Sequence, residues 1–201
     1  MLKEMLIDIL QAFGPAGNEE KVGQVLAEYI RPYCDEVWTD ALGNLIGYKK
    51  GTSGKKLMLS AHMDQIGFIV VDIDENGFLR IANVGGISPA LSVAREVVFE
   101  NGVHGIIYYE TPDAKAVAAL PNMYVDIGCS SREEAEAKVR IGDMCVFVSN
   151  FVEMGIAYAA PLLQKLCSNC NRRMIFMRSL LYRRKWGCAD PELRHMPLIR
   201  T

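Results

Sequence analysis

Acidic side chains are missing from one long stretch of this chain: no Asp or Glu lies between Glu153 and Asp190. Carboxylate chemistry is excluded there. An excess of one charge is also lacking. The formal net charge is −2 over 201 residues, which argues against general nucleic-acid binding. No apolar run approaches the ~20 residues of a membrane span, so no membrane partner is expected. Met1-Leu2-Lys3-Glu4 has neither a basic region nor a long apolar stretch after it, so no signal peptide is read. Six Cys are scattered at positions 34, 129, 145, 167, 170 and 188. They read as reduced thiols rather than a disulfide frame, and the expected location is the cytoplasm. Hydrophobic side chains are plentiful, at 50 % of residues, enough for the core of one large domain or two small ones.

The stretch from Leu57 to Gly67 carries the clearest chemical pattern. Leu57-Met58-Leu59 reads as a buried strand. Small residues follow, then His62 and Asp64, two positions apart and so pointing the same way at strand spacing. An imidazole that binds metal or takes a proton in a fixed tautomer needs its second ring nitrogen held by a hydrogen bond. A nearby carboxylate is the usual holder. The same two residues also suit a strand end where they only satisfy backbone groups, and so short a spacing does not choose between the two.

Around this stretch the chain reads as helices first and strands later. Leu2, Met5, Leu6, Ile9, Leu10 and Phe13 recur at helical spacing. Gly14-Pro15-Ala16-Gly17 breaks that helix, and Asn18 is the expected N-cap of the next, whose buried stripe is Val22, Val25, Leu26, Tyr29 and Ile30. Val37-Trp38-Thr39 reads as a strand, with Asp40 and Gly43-Asn44 marking a tight hairpin turn. Residues 49–56 form a Gly- and Lys-rich loop without evident chemistry. From Phe68 onward short β-rich runs alternate with turns: 68–73, 78–81, 96–99, 105–108 and 144–147, with a turn at Asp74-Glu75-Asn76-Gly77. Ser130 and Ser131 open overlapping capping boxes with Glu133 and Glu134, which predicts one helix running into Ala135–Val139. His104, among the strands, reads as a surface or turn His.

Ala61-His62-Met63-Asp64-Gln65-Ile66-Gly67 resembles the A-H-M-D-E-I-G signature of the M42 metallo-aminopeptidases. The order helix, helix, V-x-T-D-x-L-G-N-L-I, strand, A-H-M-D is how that family begins. The string from Tyr124 to Ala135, with Ile141-Gly142-Asp143, is similar to it as well. The resemblance implies an α/β fold: part of a metallo-exopeptidase catalytic domain at residues 1–65, with a small β-barrel or PDZ-like module inserted at 66–150. It implies removal of N-terminal residues from peptide substrates, with a metal-bound water attacking the carbonyl and a Glu taking its proton. It makes His62 a metal ligand and Asp64 its orienting, catalytic partner, in a site for two divalent ions, zinc or cobalt. It also implies a homo-oligomer built through the β module. Gln65 stands where the family most often has Glu, so one acidic group is neutral here.

The match holds through Phe151–Gly155 and then stops. The family word A-L-D-D-R, whose first Asp bridges the metals, is replaced by the apolar Ile156–Leu166. From Arg172 to Thr201 there are eight Lys or Arg against two Asp or Glu. A basic helical tail or a nucleic-acid or membrane-surface tail fits that composition. A change of reading frame explains more. Tyr182 to Gly187 written as TAC AGG AGG AAG TGG GGN spells Q-E-E-V-G when begun one nucleotide earlier, and Q-E-E-V-G-x-R-G is the family's next signature, with its general base and a ligand. Residues 151–201 are therefore expected to be a divergent, out-of-frame segment. Cys167-Ser168-Asn169-Cys170 is then a lone C-x-x-C of little weight, and His195 an accident of frame. With His62 as its one ligand, the chain is expected to bind at most one ion, weakly. The alternative reading is a catalytically inactive fragment whose β module only mediates self-association.

Overall fold

The computed structural model describes residues 2–52, 54, 56–110, 120–154 and 157–159. Two helices come first, α1 (Leu2–Gln11) and α2 (Glu20–Ile30). Their apolar stripes face each other, so Leu6, Leu10, Phe13 and Val22 are buried, while Val25, Leu26, Tyr29 and Ile30 are only half-buried. Asn18 does not cap α2. The N-cap position is Glu19, which makes no side-chain cap bond. The Asn18 amide instead donates to Glu100 Oε2 at 2.8 Å, 82 residues away in sequence. The bond uses the Asn18 NH₂ donor on a charged acceptor, and with the helix beginning one residue later its Oδ1 is not at the N-cap position.

A hairpin follows, β1 (Glu36–Thr39) paired antiparallel with β2 (Leu45–Tyr48). Its turn is organised by Asp40, whose carboxylate accepts from the backbone N–H groups of Leu42 and Asn44, both at 2.9 Å. These bonds to the charged form hold the Asp40 carboxyl below its ordinary value, the Asn44 side-chain bond most of all.

The expected buried strand at Leu57-Met58-Leu59 does not form. These residues belong to no strand and are 82 %, 86 % and 66 % exposed. A strand is stable only when a neighbouring backbone takes its N–H and C=O groups. No described residue offers such a neighbour here, because the β1–β2 sheet has two strands only.

The rest of the described chain is dominated by a closed six-stranded barrel: β3 (Gly67–Ile73), β4 (Leu79–Val84), β5 (Glu96–Phe99), β6 (His104–Tyr109), β7 (Met123–Asp126) and β8 (Met144–Phe147). They close in the order β3-β4-β7-β6-β5-β8, every pairing antiparallel. The inward positions carry Phe68, Val70, Ile73, Leu79, Ile81, Val97, Phe99, Ile107, Met123, Val125 and Cys145. Strict alternation would turn Asp72 inward after Phe68 and Val70. A β-bulge between Val70 and Asp72 adds one residue, leaves Val71 and Asp72 outside and returns Ile73 to the core. Fully burying each large side chain stabilises the fold by about 1.5–3 kcal/mol.

The predicted helix, α3 (Arg132–Glu136), lies against this core, with Ala135 and the following Val139 buried in it. Of the two overlapping capping boxes the second forms in part, with Ser131 as the N-cap and the return bond from Glu134 falling one residue early. Ser131 Oγ accepts from the Glu134 N–H at 3.3 Å, and the Glu134 carboxylate takes the N–H of Ser130 at 2.9 Å. A short hairpin, β9 (Val152–Met154) with β10 (Ala157–Ala159), ends the described chain.

Candidate functional site

His62 and Asp64 lie on the segment that joins the unpaired Leu57–Leu59 run to β3. Side chains alternate along it. Met63 turns toward α2, where a Cβ added to Gly23 would stand 3.8 Å from its sulfur. Gln65 is buried, 8 % exposed. His62 and Asp64 face the other way, with side chains 49 % and 40 % exposed. The segment ends at Gly67, where any side chain is excluded: an added Cβ would lie 2.4 Å from the Cys145 carbonyl oxygen across the barrel seam.

His62 Nδ1 lies 3.0 Å from Asp64 Oδ1 and 3.1 Å from the Asp64 backbone oxygen. Both partners are acceptors, so Nδ1 is the nitrogen that carries the hydrogen. In the neutral ring that leaves the Nε2 lone pair free to accept a proton or ligate a metal. The residues that sequence spacing singled out are thus brought together, on an extended segment rather than at the end of a paired strand.

The segment is fixed from below by the turn after α1. The Gln65 N–H donates to the Gly14 oxygen at 2.8 Å, and the Gln65 Nε2 donates to the Ala12 oxygen at 2.9 Å. Pro15 and Gln65 form an isolated parallel bridge. Sequence reasoning noted Gln65 only for the charge it lacks. The signal for its structural part was a long amide placed between two exposed polar residues and the apolar Ile66.

No group of three or more His, Cys, Asp and Glu able to hold a metal ion occurs among the described residues. One imidazole and one orienting carboxylate fit a single ligand position and do not assemble a two-ion centre. His104 sits apart, on the outside of β6, with Nδ1 2.7 Å from Glu96 Oε1. It is a surface His, as its position suggested. It also lines a cavity of about 210 Å³ together with Leu10, Gln65 and Phe147. Cys34, Cys129 and Cys145 are free thiols. Burial pushes the Cys145 thiol up to about 12, which leaves it protonated and inert at neutral pH. Cys167, Cys170, His195 and the basic C-terminal stretch lie outside the described residues.

The fold and site define a closed six-stranded barrel beside an exposed His–Asp segment, and comparison with known proteins says which family carries them. The model of the M42 glutamyl aminopeptidase family matches residues 43–160, more than half of the chain, and the chain belongs to that family. A protein of Acetivibrio thermocellus described as an aminopeptidase is 46 % identical over 161 residues, covering 77 % of this chain and 48 % of its own length. The lysyl aminopeptidase of Pyrococcus furiosus is 34 % identical over 178 residues, covering 82 % of this chain and 51 % of its own. Among solved structures, the TET1 peptidase of Pyrococcus horikoshii, which assembles into a tetrahedron or a large octahedral shell, superposes with a TM-score of 0.68. It is 32 % identical and covers 77 % of this chain and 49 % of that one. The chain thus spans about half the length of the curated relatives it matches.

Proposed function

We propose that this chain belongs to a metal-dependent aminopeptidase that removes N-terminal residues from peptides, and that it carries only part of the catalytic apparatus. The observation behind the reading is the 3.0 Å contact between His62 Nδ1 and Asp64 Oδ1 inside the A-H-M-D word, in a chain of the M42 family. In this reading His62 is the ligand for a zinc or cobalt ion through Nε2. Asp64 holds its tautomer and stabilises positive charge on the ring. Residues 1–65 are part of the catalytic domain, 66–150 the inserted module, and 151–201 an out-of-frame segment. The oligomer is a homo-oligomer built from peptidase subunits, supported by the shell-forming TET1 relative. Three free thiols among the described residues favour the cytoplasm.

The described residues include no counterpart of a bridging carboxylate or a general base. In place of the Glu-Glu of the restored frame the chain has Arg184 and Lys185, which reverse the charge. The chain as written is therefore expected to turn over little or no substrate. The test is hydrolysis of aminoacyl-nitroanilides with added cobalt or zinc, beside a chain encoded with the reading frame restored. The restored chain should be active and this one at least about a thousandfold slower, as loss of the acid–base group and the electrostatic stabilisation together demands. Equal metal-dependent turnover by both would overturn the reading.

A second reading is a non-catalytic, self-associating chain. It draws on the exposed Ile106 and Tyr108, 46 % and 50 % accessible on the outside of the barrel. Sedimentation of this chain that shows a stable assembly without any bound ion would favour it.

A further inference from the structure

We infer that Gln65 is the positioning residue of the His62–Asp64 pair, and that it acts as a hydrogen-bond donor that a carboxylate in its place would not provide. The inference deepens the proposed aminopeptidase reading and rests on it for the pair's chemical purpose.

One peptide plane links the two residues. The C=O of the Asp64–Gln65 unit accepts from His62 Nδ1 at 3.1 Å, while its N–H donates to the Gly14 oxygen at 2.8 Å. Whatever orients that plane orients the imidazole. Upstream the segment has little hold, since residues 56–61 belong to no strand and Leu57 and Met58 are more than four-fifths exposed. The firm end is Gln65. Its side chain is buried and its Nε2 reaches the Ala12 oxygen at 2.9 Å.

Ala12 directly follows the last residue of α1, where carbonyl groups have run out of helical N–H partners. That acceptor needs a donor. An amide NH₂ supplies one and an ionised carboxylate has none. The neutral residue at this position is therefore a requirement of the local geometry in this chain, and not just a missing charge. Met63 against Gly23 holds the same face by contact alone, which limits sliding but does not set a hydrogen-bond direction.

The experiment uses the full chain, with no metal and no substrate, and compares wild type with Gln65→Met and Gln65→Glu. Nitrogen-15 imidazole spectra near pH 8 report the tautomer of neutral His62. The wild type should show His62 mainly as the Nδ1–H tautomer. Both variants should lose about threefold in the ratio of Nδ1–H to Nε2–H, while the amide signals of Phe68 and Val97 stay in place and report an intact barrel. Amide exchange at position 65 supplies the second readout. Gln65→Glu should be protected nearly as well as wild type near pH 5, where a buried acid is protonated and can donate, and about tenfold less near pH 8; Gln65→Met should be poorly protected at both. An unchanged tautomer ratio and unchanged protection in Gln65→Met would overturn the inference, as would a mixed tautomer in the wild type. Absence of peptidase turnover would leave these results standing, so the two readings fail separately.

Discussion

Between Gly67 and Phe147 each of the six strands has a neighbour on both sides, whereas the chain from Lys56 to Ala61 has none on either side among the described residues. The barrel closes on itself and needs nothing beyond its own residues to satisfy its ladders. Its core side chains are sealed, with Phe68, Ile73, Leu79, Val97, Ile107 and Val125 fully buried. The Leu57–Leu59 run is just as apolar and lies in water. Hydrophobicity sets what a segment gains by being covered, and topology decides whether it is covered. The His–Asp pair sits at the junction of the two regimes, anchored on its barrel side through Gln65 and Gly67.

The largest expected effect breaks the comparison directly. Phe68 is fully buried and meets Phe147 edge-on, ring centroids 5.4 Å apart. Phe68→Ala should destabilise the barrel by about 3–5 kcal/mol, from lost transfer energy and the cavity left behind. Leu57→Ser should change stability by less than about 0.5 kcal/mol, because the side chain is already solvated. Urea unfolding followed through the barrel amides reads both. A large loss in Leu57→Ser would show that this run is covered in solution and that the contrast between the regions is false.

Much of the barrel was legible because its signals are local. Turn words such as Asp74–Gly77 work within four residues: Asp74 Oδ1 takes the N–H of Asn76 and of Phe78, both at 3.0 Å, and Gly77 has a φ of +84° that other residues adopt with strain. The His62–Asp64 contact was legible for the same reason, being set by two-residue spacing. What was not legible depends on partners far away in sequence. Asn18 read as a cap because its nearest possible acceptors and donors were helical, while its actual partner, Glu100, is on the loop after β5. Leu57–Leu59 read as a strand because composition reports affinity for a sheet and not the presence of one. The bulge after Val70 and the anchoring of Gln65 to Ala12 leave no mark in a period-two pattern.

An intermediate effect sharpens the comparison from within the barrel module. Helix α3 has five residues, too few to persist without tertiary packing and a good cap. Ser131→Ala removes the acceptor for the Glu134 N–H and should cost about 1 kcal/mol. Because Ala135 and Val139 belong to the barrel core, the loss should appear in global unfolding and not as local fraying. By contrast α2 has no side-chain cap bond, and the Glu19 carboxylate accepts only from the exposed Gly17 N–H at 2.8 Å, so Glu19→Ala should cost less than Ser131→Ala. Thermal melts of the two variants compare them, and equal losses would mean that the cap is not coupled to the barrel.

The smallest expected effect concerns the link between the two regions. Glu100, on the loop after β5, accepts from Asn18 at 2.8 Å and stands 3.3 Å from Lys21 Nζ. The Asn18 bond first, and then Lys21, hold its carboxyl below the ordinary glutamate value of 4.5. A depressed folded-state value means the ionised form is favoured by folding. The resulting stability is fully present above the unfolded value and is lost as pH falls through the folded one. Both charged side chains are near half exposed, at 51 % and 45 %, so solvent screens them and the contribution stays below about 1 kcal/mol. Urea midpoints at pH 7 and at about pH 3.5 should therefore fall slightly more for wild type than for Glu100→Gln, which keeps an acceptor but has no proton to gain. Raising salt should shrink the difference, since screening weakens the Lys21 pair. Identical acid sensitivity in the two proteins would mean that the charge on Glu100 adds nothing to the link between the helices and the barrel.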